Sequence, residues 1–152
     1  MGDPEATALL RSAARSDNVY VRRAAGEALA ALGNVEGIGV LIESLSFPSI
    51  DAFYNYGHNV PNTIALYANF DLPDEERYDR DAWKRWFESA SDEIDIEDNA
   101  SAARELEAIR TATRDAPAAE AIEALEVFLS RHPGHVRGEA LLDAAVARDE
   151  GR

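Results

Sequence analysis

The chain has 152 residues, no cysteine, and 29 acidic against 15 basic side chains, a formal net charge of −14. That length suits one domain or a short helical array, and the lack of cysteine excludes disulfides, thiolate metal sites and cysteine nucleophiles. So acidic a surface repels phosphate backbones and anionic headgroups, which argues against nucleic acid and membrane as partners.

Lysine occurs once, at Lys84. Arginine replacing lysine on an acidic background reads as a salt-adapted or high-GC proteome, a property of the environment rather than of function. The second reading is a surface for a basic partner protein. The 46% hydrophobic content is too rich for a disordered chain. No segment reaches the roughly 20 apolar residues of a membrane span. The opening MGDPEATALL has neither a basic n-region nor an apolar h-region, so no signal peptide is expected. The lack of cysteine fits a cytoplasmic location.

Periodicity of about 3.6 then organises the chain. Ala6, Leu9, Leu10, Ala13 and Ala14 space out one buried face of a first helix, with Asp3 as N-cap and Pro4 at the first helical position. Ser16-Asp17-Asn18 breaks it. A second helix puts Val21, Ala24, Ala25, Ala28, Leu29 and Leu32 on one stripe and stops at Gly33-Asn34. Ile38, Leu41, Ile42 and Leu45 mark a third, ending before Pro48. Sliding the chain by 31 residues lays Glu36 on Glu5 and Leu41 on Leu10. A period of that size is the mark of stacked helical hairpins.

The stretch from Asp17 to Gly33, DNVYVRRAAGEALAALG, resembles the second helix of a HEAT repeat, and the resemblance extends over residues 4–45. It implies an all-α fold, a short α-solenoid of stacked hairpins, and a role in protein–protein interaction. Alanines on the packing face allow close helix approach, and Asp17 is placed to bridge to Arg22 or to a neighbouring turn.

The next hairpin departs from the pattern. Residues 48–62, PSIDAFYNYGHNVPN, carry Pro48, Gly57 and Pro61, so about eight residues are inserted and the helix resumes near Pro61 with Ile64, Tyr67 and Ala68 inward. Trp83, Trp86, Phe87 and Ala90 fall at i, i+3, i+4 and i+7 of an aromatic helix over 79–90, which resembles the segment closing some bacterial HEAT arrays. Helical spacing accounts for these aromatics as core. Residues 91–99, SDEIDIEDN, read as an acidic linker. Beyond it, 100–114 places Ala102, Ala103, Leu106 and Ile109 on one side. Pro117 opens a helix with Ala118, Ala121, Ile122, Leu125, Phe128 and Leu129 inward. His132-Pro133-Gly134 turns into a last helix lined by Val136, Ala140, Leu141 and Ala144. This end resembles a tetratricopeptide-type hairpin. The expected organisation is thus 1–90 HEAT-like, 91–99 linker and 100–152 TPR-like.

Phe53, Tyr54, Tyr56, His58 and Asn59 stand out as binding candidates. They sit in an irregular insertion, and tyrosine combines rigid apolar area with a polar tip. The competing reading is that they cover the insertion's own small core. Arg22 and Arg23 read as internal ion-pair partners, since no basic stripe accompanies them. The acids between Asp71 and Asn99 number 12 against 4 bases, but no glycine lies between Gly57 and Gly134, so an EF-hand loop is absent. His132 and His135 straddle Pro133-Gly134 without a third ligand at zinc spacing. Nothing resembles a nucleophile elbow, phosphate loop, dinucleotide fingerprint or metalloprotease helix. The reading is a non-catalytic scaffold or protein-binding module, with no cofactor and no metal, monomeric or weakly self-associating. The alternatives are a HEAT-like lyase or other enzyme-accessory protein, which a deep pocket at Tyr54, Tyr56 and His58 would favour, and a piece of a larger solenoid.

Overall fold

The computed structural model describes residues 3–46 and 60–151, which form eight α-helices and, among the described residues, no strand. The helices are α1 (Pro4–Ala13), α2 (Val19–Ala31), α3 (Glu36–Glu43), α4 (Val60–Ala68), α5 (Arg80–Ala90), α6 (Ile96–Ala112), α7 (Ala118–Arg131) and α8 (Val136–Asp149). Single 3-10 turns follow α3 and α5, at Ser44–Ser46 and Ser91–Glu93. Two compact units divide within α6: Met1–Ala100 and Ser101–Arg152.

In the first unit, local sequence sets each helix end. The Asp3 carboxylate accepts the Glu5 amide at 3.0 Å and caps α1. Asn18 caps α2 by accepting the Tyr20 and Val21 amides. At the far end of α2, Gly33 takes φ +78, the Asn34 amide donates to the Leu29 carbonyl and the Gly33 amide to the Ala30 carbonyl. That is a Schellman stop, which needs a residue without Cβ at the left-handed position. Asn34 then accepts the Glu36 amide at 3.0 Å and starts α3.

Helices α2 and α3 pack by backbone approach. A Cβ on Gly37 would clash with the Ala30 nitrogen and the Gly26 carbonyl oxygen, and one on Gly26 would stand 3.0 Å from Val40 Cγ1. The buried stripe of α2 is accordingly Ala25, Gly26, Leu29 and Ala30. This differs from the expected stripe: Val21, Ala24 and Leu32 lie exposed, because the glycine pair turns α2 by a fraction of a turn toward α3. Helix α3 buries Gly37, Ile38, Leu41 and Ile42 and packs against α2, α4 and α5, which makes it the centre of this unit. Arg23 of α2 donates to the Ser44 carbonyl at 3.1 Å, and the buried Ser44 hydroxyl donates to the Leu41 carbonyl at 2.6 Å. Burial lowers the pKa of Arg23.

On α1 the expected face is half-buried at Ala6, Leu10, Ala13 and Ala14, and Leu9 is its one exposed member. No residue of α1 is fully buried, and Leu9 is 67% exposed; among the described residues α1 packs mainly on α2, with Arg11 also reaching Glu36 of α3.

Helix α4 resumes at Val60 and buries Ile64, Ala65, Tyr67 and Ala68. The Arg77 guanidinium closes the loop after it, meeting both Asp71 oxygens at 2.8 and 2.9 Å and the Asn62 side-chain oxygen. Its pKa rises through the hydrogen bond to Asp71. Trp83 is fully buried on α5 and donates its indole N–H to the Arg77 carbonyl at 2.9 Å. Phe70 stacks on Trp86 with ring centres 4.6 Å apart, and Trp83 meets both rings edge-on. Residues 91–99, expected as a linker, are folded. The segment makes a 3-10 turn and then the first turn of α6, where buried Asn99 donates to the Tyr67 carbonyl at 2.9 Å. Asp95 accepts the Asp98 amide, so the acids serve as a helix start.

In the second unit α7 and α8 form an antiparallel hairpin. Phe128 is fully buried, and a Cβ on Gly138 would lie 2.7 Å from its ring. This contact rotates α8, so Gly138 and Ala145 are buried whereas the expected Ala140 and Ala144 are exposed.

The Gly37 contact generates a prediction. Gly37→Ala should destabilise the first unit by about 2–3 kcal/mol, since backbone atoms cannot move aside as a side chain can. Urea unfolding followed by Trp83 and Trp86 fluorescence reports this unit. A change under about 0.5 kcal/mol would contradict the close approach.

Candidate functional site

Phe53, Tyr54, Tyr56, His58 and Asn59, the binding candidates of the sequence, lie outside the described residues, which resume at Val60 with the start of α4. Of the large apolar side chains that the described residues expose, three lie on the α1–α2 hairpin, the others being Leu32, Tyr78, Val127 and Val146. Leu9 on α1 is 67% exposed, and Tyr20 and Val21 at the start of α2 are 55% and 42% exposed. Scattered surface leucines are ordinary. Here, however, two consecutive large residues and one on the partner helix are exposed on a hairpin whose first helix buries no residue.

The polar groups nearby are committed to the fold. Arg22 donates to the Ser16 carbonyl at 2.6 Å, replacing the expected bridge to Asp17, because the Ser16-to-Asn18 turn brings that carbonyl under the guanidinium. Arg23 is drawn inward to Ser44. Both arginines thus serve internal hydrogen bonds to carbonyl and hydroxyl oxygens. Arg11 of α1 meets Glu36 of α3 in a two-pronged pair at 2.8 and 3.0 Å, and the hydrogen bond from Arg11 holds the Glu36 carboxyl below its ordinary pKa. With its folded pKa depressed, Glu36 contributes stability above the ordinary carboxylate range, lost as the pH falls through the folded value. Both side chains are more than half exposed, so that contribution is small.

The paired histidines of the second unit are structural. His135 is buried and caps α8, its Nδ1 accepting the Gly138 amide at 3.1 Å. His132 Nε2 lies 3.0 Å from Glu105 Oε2, and Arg131 reaches the other oxygen at 2.6 Å. Phe128 packs between the two rings, centred 4.7 Å from His132 and 5.1 Å from His135. Among the described residues no group of three or more His, Asp or Glu is arranged to hold a metal ion. A ring nitrogen serving as N-cap is rare enough that sequence reading, which looks for Ser, Thr, Asp or Asn, passes over it. Among the described residues no helix is long and apolar enough to cross a membrane.

Residues 21–47 match the family described as PBS lyase HEAT-like repeat. The match begins on α2 and runs through α3, the pair joined by the Gly26–Gly37 contact, so this segment is a HEAT-like helical repeat. No curated protein and no solved structure matches the chain.

His135 carries the prediction here. His135→Ala removes both a cap and a buried ring and should cost the second unit about 2–3 kcal/mol. His135→Asn should recover the capping part, roughly 1 kcal/mol. Thermal unfolding by circular dichroism reads both, and indifference to the alanine change would mean that the ring is not holding α8.

Proposed function

We propose that the chain is a non-catalytic protein–protein interaction module of the HEAT-repeat type. The observation that carries this reading is the α1–α2 hairpin, where Leu9, Tyr20 and Val21 stand exposed beside a helix with no fully buried residue. Helical hairpins in a repeat bury their faces on neighbours, so a face left open is suited to another protein. Tyrosine beside aliphatic residues is the composition of binding hot spots. The aromatic insertion with Phe53, Tyr54, Tyr56, His58 and Asn59 belongs to the same proposal on grounds of composition. A cysteine-free chain fits the reducing cytoplasm, which we take as its location. The name of the matched family supplies a second reading, an accessory to a lyase or other enzyme, in which the same hairpins would hold the enzyme's protein substrate.

The test is affinity capture from the source lysate with three baits: the unaltered protein, Leu9→Ser with Tyr20→Ser, and Tyr54→Ala with Tyr56→Ala. The first pair of substitutions touches exposed side chains and should change stability by no more than about 1 kcal/mol in sum. A partner held by the unaltered bait and reduced at least about tenfold on the Leu9/Tyr20 variant is the expected result, equal to a loss of about 1.4 kcal/mol. Equal capture by all three baits would contradict the assignment of either surface.

A further inference from the structure

The second unit contains a groove that neither the hairpin surface nor the repeat accounts for. It measures about 370 Å³, within the range of small-ligand pockets, about 300–1,000 Å³. It lies where the end of α6, the start of α7 and the last turns of α8 meet. Buried Ala121, Leu125 and Ala145 form its floor, and half-buried Ile109 and Leu141 line the walls. Three arginines, Arg110, Arg114 and Arg148, stand around it against one acid, Glu107.

The charge balance is unusual for this chain. Across residues 101–152 there are 10 acids and 7 bases, so the second unit carries only −3 of the total −14. Arg110 is spent on Glu107, 2.7 Å away. Arg114 and Arg148 have no ion-pair partner among the described residues, in a protein with twice as many acids as bases. Asp115 and Asp149 follow them in sequence, yet neither lines the groove. Two uncommitted guanidiniums therefore border an apolar floor. A guanidinium offers a planar fork of donors to carboxylate or phosphate oxygens.

We propose that this groove binds a small anionic amphiphile, its carboxylate or phosphate head held by Arg114 and Arg148 and its alkyl body lying over Leu125, Leu141 and Ala145. The head requirement follows from the two arginines, and the body requirement from a floor that offers no hydrogen-bonding side chain apart from Thr113. The Thr113 hydroxyl already donates to the Ile109 carbonyl at 2.9 Å. The proposal is independent of the protein-binding role assigned to the α1–α2 hairpin, which lies in the other unit.

Titrating the full chain with octanoate, octyl phosphate and 1-octanol, followed by amide NMR shifts, tests it. Octanoate or octyl phosphate should bind saturably with a Kd below about 1 mM, moving amides at the end of α6, the start of α7 and the end of α8. The tighter of the two identifies the head as carboxylate or phosphate monoester, and either result carries the proposal. Arg114→Gln with Arg148→Gln should weaken binding about tenfold or more. Ala144→Trp, which fills the groove from an exposed position while removing no charge, should abolish it. Several outcomes overturn the proposal: 1-octanol binding as well as the anions, shifts located elsewhere, unaltered affinity in the arginine variant, or no saturation with either anion. So does occupancy of these residues by an acidic peptide when neither amphiphile binds.

Discussion

The first unit depends on how closely α2 and α3 approach. Gly37 of α3 sits against the Ala30 nitrogen and the Gly26 carbonyl, with no room for a methyl group at that position. Close packing of this kind gains dispersion contacts over the whole length of two short helices. It also fixes which way both helices face. Once α3 lies flat on α2, its remaining sides are presented to α4 and α5, and Gly39 admits Phe87 of the aromatic helix at a would-be Cβ distance of 3.3 Å. The Arg23–Ser44 hydrogen bonds and the Lys84–Glu43 pair at 2.9 Å then hold the end of α3 to its neighbours on both sides. The consequence for function lies on the other side of α2. That helix has committed its buried stripe to α3, so α1 has only the remaining flank to pack on and keeps much of its own surface exposed.

Much of this was legible in the residues, for a definable reason. Caps and breakers are local: Asp3, the Ser16-Asp17-Asn18 break and Gly33-Asn34 each act within three or four positions, so the ends of α1 and α2 and the start of α3 follow from sequence. Apolar spacing located every helix. It erred on which face is buried, in α2 and again in α8, and both errors have one cause. Glycine carries no hydrophobic signal, yet Gly26, Gly37 and Gly138 are the points of closest approach and set the rotation of their helices. The acidic segment 91–99 was misread for a related reason. Its charge suggested solvent, whereas Asp95 and Asp98 act at a helix start and Asn99 turns inward to the Tyr67 carbonyl.

The functional surfaces were less legible. The aromatic insertion was visible as composition but lies outside the described residues. Exposed Leu9 and Val21 could not be told from core residues by periodicity, since exposure depends on which helices are present to cover them. The arginine-rimmed groove draws its lining from three helices, so no sequence window contains it. Histidines offer the reverse lesson. A pair flanking Pro133-Gly134 looks like the beginning of a metal site, whereas one ring caps α8 and the other hydrogen-bonds Glu105, both packed around Phe128.

Hydrogen exchange across the native chain tests the central claim most directly, because it reports for each helix whether its backbone is covered. The account predicts the slowest exchange in the first unit at α2 and α3, around Ala30, Leu41 and Ile42, with α1 opening far more readily. If α1 were protected as strongly as α3, its apolar side would already be covered in the free protein. An open hairpin face awaiting a partner would then be contradicted.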